Sequence, residues 1–302
     1  MTKNKSKIKH MLKINSFLIL IILFSPLMLF SQDGLYKIYS VELRREVSMA
    51  EMTDKLAHAD VVFFGEEHND SVAHVLQLEL LKGLHAIHGQ GLSLSMEMFQ
   101  TDVQLVLDEY LAGQITERNL KADARPWKNY PDYQGMVEYA KEKGLYVLAA
   151  NAPSRYTNRV TREGITSLMG LAKEAKKYLA PLPIDTLRGP YYDKFNGLMG
   201  GHNGMGNLKI YQSQNVWDAT MAWKIARLAK RRQVKQILHL NGRFHSDEKL
   251  GTYAHLQGYA KKLKLSNIAA FPHESFANPD WATWEHLGDF IIITDPNVNR
   301  SF

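Results

Sequence analysis

The sequence predicts an α/β fold: a mainly parallel sheet with helices on both faces, plus a small, mostly helical inserted subdomain. Three observations predict it. Short aliphatic or β-branched runs recur along the chain, helical patterns separate most of them, and one long central stretch has no strand pattern. Runs that are short and apolar throughout suit strands buried on both faces, the condition of a parallel sheet.

Residues 1–31 stand apart. Lys3, Lys5, Lys7, Lys9 and Lys13 precede the uncharged, mostly apolar run Phe17–Phe30, 14 residues long, and then the small residue Ser31. That order is the pattern of a secretory signal, with cleavage after Ser31. A retained anchor helix is the alternative; spanning needs ~20 apolar residues, and this run is shorter. The expectation is therefore an exported protein, periplasmic or associated with the cell envelope. The chain has 0 cysteines, which leaves no disulfide, no thiolate metal site and no cysteine to lipidate. It is not read as a lipoprotein.

The formal charge of +6 does not point to nucleic acid. Five of those charges are the leader lysines, and the remaining residues carry only +1. A nearly neutral body lacks a bulk electrostatic drive toward phosphate backbones. At 302 residues, 45% hydrophobic and 23% charged, the chain can bury one large core, or a core with a smaller appendage.

The strand candidates are Val61–Phe64, Leu92–Ser95, Leu145–Ala150, Ile237–Leu240, Ile268–Phe271 and Phe290–Thr294. Between the first two, Val72, Leu76, Leu80, Leu84 and Ile87 recur at helical spacing, and Gly89 and Gly91 close the helix. Thr101–Leu111 and Asp132–Lys143 read as further helices, with a loop around Arg125-Pro126-Trp127 and Tyr130-Pro131 between them. The β-α-β-α-β order implies right-handed crossovers.

Residues 153–210 contain no convincing strand. They hold a helical piece at Ser167–Leu179, a break at Pro181–Pro183, Gly189-Pro190-Tyr191-Tyr192, and a Gly/Met-rich stretch that includes His202. Such a length is too great for a plain loop. It reads as a helical insert over the carboxyl edge of the sheet, dividing the core into 32–152 and 211–302. A long amphipathic helix, Tyr211–Arg232, leads back to the Ile237 strand.

The chemistry collects after the strands. Phe64 is followed by Gly65-Glu66-Glu67-His68, Ser95 by Met96-Glu97, Ala150 by Asn151-Ala152-Pro153, and Leu240 by Asn241-Gly242-Arg243-Phe244-His245. Ligands of open parallel sheets bind outside the carboxyl ends of the strands. Glycine lets the backbone turn sharply there, so a histidine three residues on can reach back over the strand tip. Glu66, His68, Glu97 and His245 would together hold a divalent metal, or act as acid and base on a water. His74 and Gln77 are spaced to face the same crevice, and Gln214 and Asp218 share a face of the later helix.

Blander readings stand beside these. Glu66 can serve as a carboxylate at a helix N-terminus. His74, His85, His88, His239, His255, His273 and His286 are structural by default. Trp217, Met221 and Leu228 read as core.

These motifs also carry a family resemblance. Gly65-Glu66-Glu67-His68 with His74 and Gln77, Glu97-Met98-Phe99-Gln100, Asn151-Ala152-Pro153, Gln214 with Trp217-Asp218-Ala219-Thr220-Met221-Ala222, and Gly242-Arg243-Phe244-His245 resemble the ChaN-like haem-binding proteins, relatives of the Tiki/TraB and erythromycin-esterase groups. The resemblance runs from Val61 to Gly251. It implies an α/β domain with a small helical domain, and haem binding in iron acquisition. It further implies a homodimer enclosing a pair of stacked haems, tyrosine ligation of iron, and hand-over to an outer-membrane haem receptor. No motif selects the tyrosine; Tyr156, Tyr191 and Tyr192, with His202 nearby, are candidates by location.

Three functions remain open on the sequence: a haem-binding protein, a metal-dependent or acid/base hydrolase of ester or peptide bonds using Glu66, His68, Glu97 and His245, and a non-catalytic envelope protein that binds a partner.

Overall fold

The computed structural model describes residues 34–199 and 205–302. The signal read in residues 1–31 and the candidate ligand His202 lie outside the described residues. A strand β1 (Tyr36–Ser40) and a two-residue β2 (Arg45–Glu46) come first, followed by α1 (Met49–Leu56), β3 (Val61–Glu66), α2 (Ser71–His88) and β4 (Leu92–Gln100). Next are α3 (Gln104–Leu111), α4 (Glu117–Asp123), α5 (Tyr130–Lys143) and β5 (Tyr146–Asn151). The helices α6 (Ser154–Glu163), α7 (Lys173–Lys176), α8 (Pro190–Leu198) and α9 (Met205–Leu228) precede β6 (Gln236–Gly242). Finally come α10 (Gly251–Tyr259), β7 (Leu265–Pro272) and β8 (Phe290–Thr294).

Among the described residues, eight strands form one sheet in the order β2-β1-β8-β7-β3-β6-β4-β5. From β8 to β5 every pairing is parallel; β1 joins β8 antiparallel, so the sheet is mixed at that edge. All six strand candidates are present. β1 has no counterpart in the sequence reading, because it lies toward an edge, is half-buried at Tyr36 and Lys37, and mixes polar with apolar residues.

Alternation along the strands divides the core into two faces. Val62, Phe64, Leu94, Met96, Leu238 and Leu240 pack with α1, α2 and α5 on one side. Val61, Phe63, Leu148 and Ile237 meet α9 and α10 on the other. Each such apolar side chain withdrawn from water contributes ~1.5–3 kcal/mol. Asp70 caps α2, its Oδ1 accepting from the backbone N–H groups of Val72 and Ala73, each at 3.1 Å.

The helical readings needed adjustment in three places. The Ser167–Leu179 helix is broken: a 3-10 turn at Ile165–Gly170 ends where Leu171 is extended, and only Lys173–Lys176 is α-helical. The loop before Pro131 contains α4, whose Thr116 and Asn119 form a reciprocal N-terminal cap. The long helix read as Tyr211–Arg232 runs instead from Met205 to Leu228.

Candidate functional site

The three strands that end in ionisable residues are neighbours. β6 lies between β3 and β4, and Glu66 is paired in register with Gly242. The chain leaves β3 for β4 on one side, then returns through β6 and crosses to β7 on the other. Such a switch point opens a crevice at the carboxyl ends of the strands. The β4–β5 register shifts between Met96 and Gln100, and the irregularity brackets Glu97. Bulges of this kind re-aim side chains.

Glu66 is buried and receives four donors. His68 Nδ1 is 3.0 Å from Oε1, the Tyr133 hydroxyl donates to Oε1 at 2.5 Å, Gln77 Nε2 donates to Oε2 at 2.6 Å, and His74 Nδ1 is 3.2 Å from Oε2. Burial alone would push the Glu66 carboxyl up; the bonds from His68 and His74 outweigh it and hold it below its usual value. His74 is in turn pushed up to about 9: burial opposes its charge, and Glu66 overcomes the penalty. Its other nitrogen lies 3.2 Å from the His68 carbonyl, so both N–H groups have acceptors.

A second chain of charges runs behind the first. The Gly242 N–H donates to Glu97 Oε2 at 2.8 Å, Glu97 Oε1 is 3.3 Å from His245 Nε2, and His245 Nδ1 is 2.6 Å from Asp218 Oδ1. Thr252 and Tyr191 hydroxyls donate to the two Asp218 oxygens at 2.8 and 2.6 Å. Burial disfavours charge on His245, but two carboxylates raise its pKa well above 6.5, while Glu97, also against its burial, is held down at about 2. Carboxylate, imidazole and carboxylate thus form one continuous buried line in which Glu97 and His245 favour each other's charge.

His68 joins the two networks. Its side chain is 39% exposed, against 10% for His245, and its charge is favoured by Glu97 as well as Glu66. It stands on a cavity of about 680 Å³ between the strand ends and α8. Phe195, Leu198, Phe244 and Leu287 supply apolar wall, and the lining cations are paired with lining carboxylates, Lys194 with Glu248 and Arg243 with Asp247 and Glu67.

The four residues singled out in the sequence therefore meet, with Gly242 between them. They form two carboxylate–imidazole pairs rather than one coordination sphere, and among the described residues no group of three or more His, Asp or Glu is arranged to hold a metal ion. His74, Gln77, Gln214 and Asp218 belong to the same networks. Asn151 does not: its side chain turns back to the Ala152 N–H.

The candidate tyrosines stand away from this cavity, Tyr191 and Tyr192 packing together on Tyr211 and Tyr156 lying elsewhere. Tyr191 is 1% exposed and bonded to Asp218, Tyr192 packs on Tyr211 with ring centroids 5.0 Å apart, and Tyr156 lies under the Arg155 guanidinium. None of the three lines the cavity. Two residues that sequence reasoning missed are Tyr133 and Trp127, the latter edge-on to His68 with centroids 4.8 Å apart. Helical spacing of Gly135 and Met136 beside Tyr133 carries no hint of a carboxylate partner 67 residues away.

A protein-family profile described as haem-binding uptake, Tiki superfamily, ChaN, matches residues 52–256, a span holding every residue of both networks. The chain belongs to this family. The fold is similar to that of ChaN of Campylobacter jejuni, solved with cofacial haem binding: the TM-score is 0.67 over 87% of this chain and 98% of that one, at 18% identity. An erythromycin esterase mutant in its open conformation is more distant, with a TM-score of 0.48 and 14% identity over 86% and 83% of the two chains. Among curated proteins, RETICULATA-RELATED 5, chloroplastic, of Arabidopsis thaliana is 27% identical over 135 residues. That match takes in 42% of this chain and only 18% of the plant protein.

Proposed function

We propose that this member of the ChaN family binds haem in the cavity between the ends of β3 and β6 and α8, with His68 as the protein's ligand to iron. The observation that carries the reading is the His68 imidazole: it lines the cavity, is part-exposed, and is oriented through Nδ1 by a buried carboxylate. A carboxylate behind a ligating histidine fixes the ring and strengthens it as a donor. Family membership and the fold shared with the Campylobacter protein support haem as the ligand.

The cavity suits such a group. Its volume falls in the ~300–1,000 Å³ range of cofactor sites. Apolar side chains from α8 and the Gly242–His245 turn would cover the macrocycle, and Lys194 and Arg243 would exchange their present partners Glu248, Asp247 and Glu67 for the propionates. Tyr191 is poorly suited to ligate iron, since burial and Asp218 raise its phenol well above 10 and oppose the phenolate. Haem uptake in the cell envelope is the proposed setting, supported by the leader pattern of residues 1–31. The proposal extends to a dimer closing over paired haems, with the exposed Leu198 at the rim as a contact.

The test is a hemin titration of the full chain, with absorption spectra and stoichiometry. The expected result is a saturable Soret shift that is weakened at least tenfold, and altered in ligand-field bands, by His68→Ala. A phenolate charge-transfer spectrum unaffected by His68→Ala would move the ligand to a tyrosine. Absence of any saturable shift would remove the haem reading.

One feature favours a second reading, hydrolysis of an ester or peptide bond: Glu66 and His68 form a carboxylate–imidazole dyad at an accessible surface, the arrangement of a general base. Turnover on a panel of such substrates, abolished by His68→Ala and Glu66→Gln in folded protein, is its signature.

A further inference from the structure

A second cavity lies on the opposite flank of the sheet edge, between β5, α3 and the carboxyl half of α9. It has a volume of about 250 Å³ and is lined by Thr101, Gln104, Tyr146, Lys224, Arg227 and Arg231 over an apolar floor. We propose that this cavity is a binding site for a phosphate group.

Two of the polar groups in the lining are already engaged. Gln104 uses its whole amide, donating to Asp108 and the Val147 carbonyl and accepting from the Ala149 N–H. The Thr101 hydroxyl donates to the Tyr178 carbonyl at 2.7 Å. What remains, apart from the Tyr146 hydroxyl beside Arg231, is cationic. Lys224 Nζ donates to the Lys177 carbonyl at 2.9 Å and keeps its other protons, Arg231 lies over the Tyr146 ring at 4.7 Å, and Arg227 has no partner among the described residues. None of the three forms an ion pair with a carboxylate among the described residues. Asp108 feels the charge of Arg231, but its bond is to Gln104. A cavity lined by three cationic donors without carboxylate partners selects a ligand that is anionic and accepts from several directions, which is the chemistry of phosphate.

The energetics agree. Burial, followed by the charge of Arg227, pushes Lys224 down to about 8, so the unliganded site carries a repulsion that an anion relieves. Charge is also segregated along the chain. Residues 154–232, which supply α6 to α9, hold 14 basic and five acidic residues, whereas the rest of residues 32–302 hold 18 basic and 26 acidic. A chain whose basic charge is concentrated in one segment draws anions toward that segment.

Free phosphate and the phosphate of a lipid headgroup share this chemistry, and two arms separate them. The full chain is titrated with inorganic phosphate by calorimetry, and separately mixed with phosphatidylcholine vesicles with and without phosphatidic acid. The variants are Arg227→Gln, which is exposed and leaves folding intact, Lys224→Gln, and Arg159→Gln as a control on the same flank. The expected result is saturable binding with one site per chain, weakened at least tenfold by Arg227→Gln and by Lys224→Gln but under twofold by the control. Binding of inorganic phosphate identifies the free anion as the ligand; binding confined to phosphatidic acid vesicles, with the same variant pattern, identifies the headgroup. Equal losses in all three variants, or no binding in either arm, would overturn the proposal. Hemin titration of the same variants is expected to match wild type, so this site stands or falls apart from the haem reading.

Discussion

The His68 ring presents its Cε1–Nε2 edge to Gly242: a β-carbon at Gly242 would stand 2.7 Å from both Cε1 and Nε2 of the imidazole. The same carbon would come 3.8 Å from Glu97 Oε2. Gly242 is therefore the floor on which the exposed histidine of one network approaches the buried carboxylate of the other. The glycine is needed for space rather than for backbone conformation, since its φ of −59 is open to any residue.

Gly242→Ala forces His68 to move. The methyl group cannot turn away, because its position is set by the strand. A shift of the ring breaks the 3.0 Å bond to Glu66 and carries the imidazole out of line with the cavity. Overpacking costs ~1–3 kcal/mol. The expected outcome is a modest loss of stability by denaturant titration, together with hemin binding at least tenfold weaker. Wild-type hemin affinity in this variant would show that the position of His68 is immaterial to the site.

Tyr133→Phe tests the other side of the cage. The phenol gives Glu66 Oε1 a 2.5 Å bond and has no other donor role, while its ring stays packed between His74 and Trp127. Hydrogen bonds to charged groups are worth ~1.5–3 kcal/mol, and removing the hydroxyl leaves the shape of the core unchanged. Unfolding by denaturant is expected to show a loss in that range with an unchanged slope. A loss below half a unit on the same scale would mean that His68, His74 and Gln77 already satisfy the carboxylate.

The central strands were legible because their sequence and their environment agree. Val61–Phe64 and Ile237–Leu240 are buried on both faces, so every residue is apolar or bonded, and the run announces itself. Their ends were legible for the complementary reason: a carboxylate directly after such a run, as at Glu66 and Glu97, must be buried and answered by donors. The identity of the donors was only partly readable. His74 and Gln77 follow from helical spacing one turn after Glu66, whereas Tyr133 reaches it across 67 residues, and nothing local encodes that distance. Residues 153–210 were hardest, since short helices broken by Gly170, Pro181 and Pro183 lack the length over which periodicity becomes visible.

Gln104→Ala is expected to expose an edge. β5 ends the sheet, and its outward Val147 carbonyl and Ala149 N–H are occupied by the Gln104 side chain at 2.9 and 2.7 Å, as a neighbouring strand would occupy them. Unpaired edge groups are templates for association with another chain. The variant is expected to lose ~1–3 kcal/mol for the unsatisfied pair and to self-associate at concentrations where wild type does not, as read by light scattering. Unchanged scattering would show that the flanking helices α3 and α9 protect the edge without Gln104.

The Glu97–His245–Asp218 line contributes to stability on the acid side, beside Glu66. Glu97 is held at about 2, below its ordinary 4.5, so its contribution is complete above about 4.5 and is lost as pH falls through that value toward about 2. His245 has the opposite sign: raised well above 6.5, it contributes fully below 6.5 and loses that contribution as pH climbs through its folded value. Glu97→Gln removes the acid-side term and leaves His245 with Asp218 as its remaining carboxylate. Breaking a buried pair costs ~3–5 kcal/mol, and the surviving 2.6 Å bond to Asp218 places this variant at the lower end. Denaturant titrations from pH 3 to pH 7 should show wild type weakening toward acid with a steeper slope than Glu97→Gln, so that the gap between them narrows as pH falls. A constant gap across that range would mean that Glu97 carries no charge-dependent stability, and that the line is held by packing rather than by its charges.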